Sequence, residues 1–282
     1  MIIGEETDTI LISDLLEVRY NSFYKSLEKS VKDFGLCLVK VRGTKDIWIR
    51  DFGPVQTHKN RFVQFRYDPD YLKDNQELKT DISIVNKNKY LLFKDKVYSN
   101  IVLDGGNIVR INKDVVVMVD KIYSENKRYK RDNLRKLISS QLGVKKIIVI
   151  PKEPYDKIGH SDGVLFPLSS NLVVMNDYKN IEPGYRDRLI RILKDNRIEF
   201  VEIPYKIPHN WRYTISAYGN YVNMLRVKNV VFIPSYGIKE DEIVRSIVKG
   251  VVGGSVELVS INTLDISAEG GAIHCATNNI QN

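Results

Sequence analysis

Cysteine is nearly absent. Cys37 and Cys275 are the only two among 282 residues, too few for the disulfide framework that staples small secreted domains. Histidine is almost as scarce, at four, and no HxxxH or CxxC spacing gathers ligands for a zinc site. No stretch approaches the roughly 18 consecutive apolar residues that a membrane span needs. The opening MIIGEETDTILISD has neither the basic start nor the long apolar core of a secretory leader. These absences lead to the expectation of a cytoplasmic protein with no membrane partner and no bound metal. Acidic excess is missing as well: 43 lysines and arginines face 35 aspartates and glutamates, a net charge of +8. The basic residues are scattered, and KRYKR at 127–131 is the densest run. That pattern reads as a solvated lysine-rich surface, and no nucleic-acid partner is expected.

What is present is a repeat. An apolar strand, a polar step, a charged amphipathic helix and a second apolar strand recur along the chain. DVVVMVDKIYS, RYKRDNLRKLISSQLG and KKIIVIP form one copy; NLVVMNDYKN, YRDRLIRILKDN and EFVEIP another; NVVFIPSYG, EDEIVRSIVKG and SVELVSI a third. In RDNLRKLISSQL the apolar residues Leu134, Leu137, Ile138 and Leu142 fall at helical spacing, and Gly143 is placed to end that helix. The first strands start at Phe62, Val115, Leu172 and Val230, so the period is about 56 residues. The copy beginning at Phe62 has only a degenerate helix, around DYLKDNQELK. The fifth copy is split: TILIS, the helix-like YNSFYKSLEKSVKDFG and LCLVKV at the N-terminus supply what the C-terminus lacks. Five such units fill the sequence, and the expectation is an α/β fold forming one ring-like domain over 1–282 whose ends meet.

Between units lie loops with chemically pointed residues: WIRDFGP (48–54), LDGGN (103–107), GHSDG (159–163), YGNYVN (218–223) and AEGGAIHC (268–275). Asp51, Asp104, His160, Asn223 and Cys275 recur at close to the repeat period, so their side chains should meet at one end of the ring axis. Cys275 is then a nucleophile in company, while Cys37, inside the apolar run LCLVKV, reads as core. His160 and Asp162 are two apart, and on extended backbone they would point the same way. A histidine near neutrality suits proton transfer to a leaving amine and from water. Asp51, Asp104 and Asp162 would repel one another around a thiol unless a cation lay between them. A planar guanidinium satisfies such carboxylates through its fork of N–H donors, and its charge favours a nearby thiolate. His58, His209 and His274 have no evident partners; next to Cys275, His274 should face the opposite way.

WIRDFGP, LDGGN, GHSDG, YVN and GGAIHC, in this order, resemble the guanidino-group-modifying enzymes, most closely the agmatine deiminase and bacterial-type peptidyl-arginine deiminase branch. The resemblance runs from about residue 45 to the C-terminus. It implies the five-bladed α/β propeller, or pentein, fold. It also implies Cys275 as nucleophile, His160 as general acid and base, and Asp51 and Asp162 as the grip on the guanidinium. Trp48 would wall the side-chain slot, Asn223 matches a polar pocket position, and Asp104 holds the acidic position before GGN. The implied reaction converts a guanidino compound to its ureido product plus ammonia, with no cofactor; for agmatine the product is N-carbamoylputrescine. A small guanidino substrate is the expected partner, and a homodimer is admitted. Arginine or peptidyl-arginine as substrate, amidino transfer on the same fold, and a non-catalytic RNA- or protein-binding ring are the alternatives. Asp68 and Asp70, in RYDPDYLKD, would suit the amine of agmatine if that loop reached the pocket. Arg212 or Arg226 would instead suit a carboxylate.

Overall fold

In the computed structural model, which describes residues 1–92, 94–154, 156–207 and 215–282, each repeat becomes a three-stranded sheet. The central strands are Thr9–Ser13, Arg61–Arg66, Val115–Val119, Leu172–Asn176 and Val230–Ser235. Each pairs in parallel with the strand that follows it and antiparallel with a short strand on its other side. The central strands are buried along nearly their whole length. This is why they read as continuous apolar runs and not as alternation.

The split blade closes as the repeat predicts. Thr9–Ser13 pairs antiparallel with Thr277–Ile280, from Thr9 opposite Ile280 to Ile12 opposite Thr277. It also pairs in parallel with Cys37–Val41. Among the described residues this makes five such sheets, the pseudo-fivefold α/β arrangement of the pentein fold.

Amphipathic helices Asn21–Asp33, Arg131–Leu142, Pro183–Asp195 and Glu240–Val252 connect the parallel strands of four blades. In Arg131–Leu142, Leu134, Ile138 and Leu142 are fully buried, each contributing about 1.5–3 kcal/mol of burial. Leu137 differs from expectation: it lies on the helix flank, 41% exposed. Gly143 ends this helix at φ 67°, accepted without strain because it has no side chain. In the second blade the degenerate helix is replaced by short turns at Asp70–Leu72 and Gln76–Leu78 and a five-residue helix, Ile82–Asn86.

The third strand of each unit is not legible in the repeat. Val55–His58, Val109–Arg110, Leu165–Pro167, Leu225–Val227 and Thr277–Ile280 hold only two to four residues each. Such lengths are too short for a periodicity to register. Each follows directly on one of the five motif loops, so the loops gather at one end of these strands.

Candidate active site

WIRDFGP folds as a single helical turn, Ile49–Phe52, in which Arg50 and Asp51 are both buried. The turn is tied to the last motif loop by the Arg50 amide, which donates to the Cys275 carbonyl at 3.2 Å. LDGGN forms a 3-10 turn at Gly105–Asn107. The Gly106 amide donates to Asp51 Oδ1 at 3.0 Å, and a β-carbon at Gly106 would stand 2.6 Å from His160 Nδ1 and 2.8 Å from Asp51 Oδ1. Only glycine lets these two motifs and GHSDG meet. The expectation of an extended His160-Ser161-Asp162 is half met. His160 is extended, but Ser161–Gly163 is a 3-10 turn, so both side chains reach the site by a different path.

His160 Nε2 lies 3.1 Å from Asp104 Oδ2, and Nδ1 lies 3.6 Å from Asp51 Oδ1. Burial alone would lower its proton affinity, but the Asp51 charge and the Asp104 hydrogen bond outweigh it and push the pKa to about 9. Asp51 itself is pushed to about 6 by burial, with His160 opposing and Asp104 and Asp162 reinforcing. Asp104 would also be raised by burial; the hydrogen bond and charge of His160, with Lys121, hold it below the usual carboxylate range. At neutral pH the group is an imidazolium between two carboxylates.

Cys275 faces this group from the other side. Its Sγ donates to Asp162 Oδ2 at 3.5 Å and accepts from Asn223 Nδ2 at 3.2 Å. The Cys275 amide donates to Asn223 Oδ1 at 3.2 Å. Burial, with the negative charges of Asp162 and Asp51, pushes the thiol well above its ordinary pKa. Trp48 crosses behind it, and a β-carbon at Gly271 would stand 2.5 Å from Trp48 Cζ3 and 2.9 Å from Cys275 Cβ.

Trp48, Asp51, His160, Asp162, Asn223 and Cys275 all line one cavity of about 240 Å³. Asp104 does not; it stands behind His160. The expectation for the RYDPDYLKD segment is corrected. Asp68 is bound to Arg66 and Lys79, each at 2.6 Å, and Asp70 to Lys121 at 3.0 Å. Neither lines the cavity. Their neighbours Tyr71 and Leu72 do, and Tyr71 donates to Asp51 Oδ2 at 3.0 Å. Arg226 lines a different cavity and pairs with Glu5. Arg212 and His209 lie outside the described residues.

Three residues that the motif reading passed over belong to the site. His274 faces away from the cavity, as its phase predicts, yet it has a partner: Nδ1 donates to Asp162 Oδ2 at 2.7 Å. Burial and the Arg50 charge lower its pKa to about 4, so it serves as a neutral donor. Arg50 bridges Asn278, Asn279 and the His274 carbonyl. Lys121, 2% exposed, meets Asp70, Asp104 and Glu125 at 3.0, 3.3 and 3.3 Å. Arg50 lies inside WIRDFGP; Lys121 had no sequence signal beyond its place after a buried strand. Among the described residues, no group of three or more histidines, cysteines, aspartates and glutamates is arranged to hold a metal ion, and no helix is long and apolar enough to cross a membrane.

A ring of five sheets with a cysteine, a histidine and three carboxylates at one end of its axis defines the class: an α/β propeller of the guanidino-group-modifying kind. The chain belongs to the Porphyromonas-type peptidyl-arginine deiminase family, whose profile matches residues 9–280. Its fold is similar to agmatine deiminase from C. jejuni, with a TM-score of 0.77 at 17% identity, covering 100% of this chain and 95% of that one. Agmatine deiminase of Enterococcus faecalis gives 0.78 at 15% identity, with 99% and 94% covered. DDAH from Pseudomonas aeruginosa gives 0.60 at 10%, with 97% and 99% covered. No curated protein sequence matches the chain.

Proposed function

We propose that the protein is a deiminase acting on a small alkylguanidine that carries a second positive charge, agmatine being the reference compound. One observation carries the reading. Among the charged groups of the cavity that holds Cys275, His160, Asp51 and Asp162, acidic ones predominate. Asp46, Glu153, Asp156 and Glu269 line it, and Lys157 is the one lysine or arginine among its described lining residues. Burial pushes Asp46 to about 6, and burial with the Asp156 charge pushes Glu153 to about 8. Tyr178 and Tyr205 donate to Glu153 at 3.0 and 3.2 Å, fixing its carboxyl. At neutral pH Asp46 is already ionised, and an entering ammonium would draw Glu153 into its ionised form as well, whereas the carboxylate of free arginine would meet repulsion.

The chemistry follows from the two protonation states. In the free protein Cys275 is a thiol and His160 an imidazolium. A guanidinium between Asp51 and Asp162 cancels the charge that disfavours thiolate, so Cys275 releases its proton to solvent as substrate enters. The thiolate attacks the guanidino carbon, forming a C–S bond and a neutral tetrahedral adduct. His160 gives its Nδ1 proton to one amino group, the C–N bond breaks and ammonia leaves, taking up the proton that Cys275 released. The remaining amidino-thioether is cationic and stays paired with the aspartates. Neutral His160 then takes a proton from water, and the hydroxide forms the C–O bond. The C–S bond breaks, and the ureido product leaves as the thiolate regains a proton.

The family match favours peptidyl-arginine as the second reading. A comparison of kcat/KM for agmatine, arginine and a C-terminal-arginine peptide separates the two, with agmatine expected to lead by about tenfold or more. Arginine or the peptide leading by that margin would overturn the substrate and leave the reaction standing; absence of ureido product from every compound would overturn the reaction.

A further inference from the structure

The ring axis holds a second cavity, of about 330 Å³, behind the catalytic one. Its walls come from four of the five short inner strands, through residues such as Arg110, Phe166, Leu225 and Asn279. Its charge is the reverse of the catalytic cavity's. Arg50, Arg110 and Arg226 line it against two carboxylates, Glu5 and Asp162, and both carboxylates are engaged. Glu5 lies 2.8 Å from Arg226, and Asp162 lies 2.7 Å from His274.

Arg50 is 4% exposed, and its guanidinium donates to neutral acceptors: Asn279 Oδ1 at 2.8 Å, the His274 carbonyl at 3.3 Å and Asn278 Oδ1 at 3.4 Å. Arg110 donates to the Ile2 carbonyl at 2.8 Å and has no carboxylate within ion-pair distance among the described residues. Burial and the Arg50 charge bring Arg110 down to about 9. Arg50 and Arg110 also both act, with burial, to keep His274 uncharged. Arg110 is thus half-buried without a carboxylate partner among the described residues, while the main counter-charge of buried Arg50, Asp162, is already shared with His274. Guanidinium groups held largely out of water in this way are costly unless something anionic completes them. Two forks of N–H donors with an imidazole beside them fit the oxygens of a phosphate or carboxylate group.

We propose that this rear cavity binds a small oxyanion between Arg50 and Arg110, and that the anion acts on the catalytic cavity through His274 and Asp162. Asp162 lines both cavities, and His274 stands behind it. An anion beside His274 favours its protonation. A charged His274 then holds Asp162 as an ion pair and withdraws carboxylate charge from the guanidinium side. The anion therefore weakens the binding of cationic ligands at Cys275, and by linkage such ligands weaken the anion's binding.

The test needs no turnover and so stands apart from the deiminase reading. Inorganic phosphate and, separately, succinate are titrated calorimetrically into the full-length protein, with chloride holding ionic strength constant. Saturable one-to-one binding by at least one of them is expected, and the tighter of the two identifies the group. Arg110→Gln should weaken that binding by about tenfold or more, while Arg110→Lys, which keeps the charge and guards against misfolding of the first variant, should retain part of it. The bound anion should slow alkylation of Cys275 by a cationic amidine by about fivefold in the unmodified chain and leave the rate unchanged in Arg110→Gln. No saturation at millimolar concentrations, or binding undiminished in Arg110→Gln, would overturn the proposal. Phosphate that slows Cys275 alkylation equally in Arg110→Gln would place it in the catalytic cavity and do the same.

Discussion

Cys37 and Cys275 make a controlled comparison within one molecule. Both are free thiols of intermediate exposure, and both belong to the split blade, Cys37 on its parallel strand Cys37–Val41 and Cys275 just before its short strand Thr277–Ile280. Cys37 packs at the edge of an apolar cluster, with the Tyr90 hydroxyl 3.6 Å from its sulfur. Cys275 has Asn223 at 3.2 Å, Asp162 at 3.5 Å and a histidine across the cavity. Exposure does not separate the two; neighbours do. The neighbours of Cys275 also suppress its ionisation, so under the proposed mechanism its reactivity is conditional on a cation.

The largest expected effect sharpens this contrast directly. Cys275→Ala should abolish ureido formation, whereas Cys37→Ala should keep kcat near that of the unmodified chain. Turnover by Cys275→Ala would end the nucleophile assignment. Next comes His160→Gln, expected to lower kcat by about 10²–10⁴-fold, because in the proposed mechanism one imidazole serves both ammonia departure and water attack. A loss below tenfold in single-turnover assays would mean that another group moves the proton.

Labelling then tests the condition on Cys275. A cationic chloroamidine should alkylate Cys275 much faster than Cys37, and neutral iodoacetamide should lose most of that preference, with mass spectrometry reading both sites. Equal preference for both reagents would show that Cys275 needs no cation to ionise. Asp51→Asn and Asp162→Asn should each cost roughly 10- to 150-fold in kcat/KM, the range for a charge-assisted hydrogen bond, with thermal unfolding little changed. Full activity in both would reduce these carboxylates to a structural role.

The sequence conveyed the ring and the five loops because both rest on signals with a period. Buried strands recur every 56 or so residues, and Asp51, Asp104, His160, Asn223 and Cys275 share one phase of that repeat. Where signals have no period, legibility stops. The inner strands hold two to four residues each. The short turn bearing Tyr71 replaces a helix, so nothing in its spacing announces that the phenol reaches Asp51. Asp68 and Asp70 carried the right charge for an amine pocket but are spent on Arg66, Lys79 and Lys121. The acidic wall comes instead from Asp46, Glu153, Asp156 and Glu269, drawn from three separate stretches of chain with no shared motif.

The smallest effect concerns Asp104, which touches His160 but not the cavity. Its hydrogen bond and charge help to lift His160 to about 9; in Asp104→Asn the lift falls to Asp51 alone, while Lys121 continues to oppose it. The folded-state pKa of His160 should therefore drop. In the proposed mechanism ammonia departure needs the imidazolium, so kcat/KM, which reports the free protein, should hold up to about pH 9 in the unmodified chain and fail at lower pH in the variant. Stability gives an independent reading of the same shift. A histidine raised from 6.5 to about 9 contributes stability fully present below 6.5 and lost as pH rises through 9. Urea unfolding of the unmodified chain should weaken across that window, and the variant should show a flatter, earlier decline. Matching alkaline limbs in both kcat/KM and stability would mean that Asp51 alone sets the proton affinity of His160, and that Asp104 does no more than fill space behind the ring.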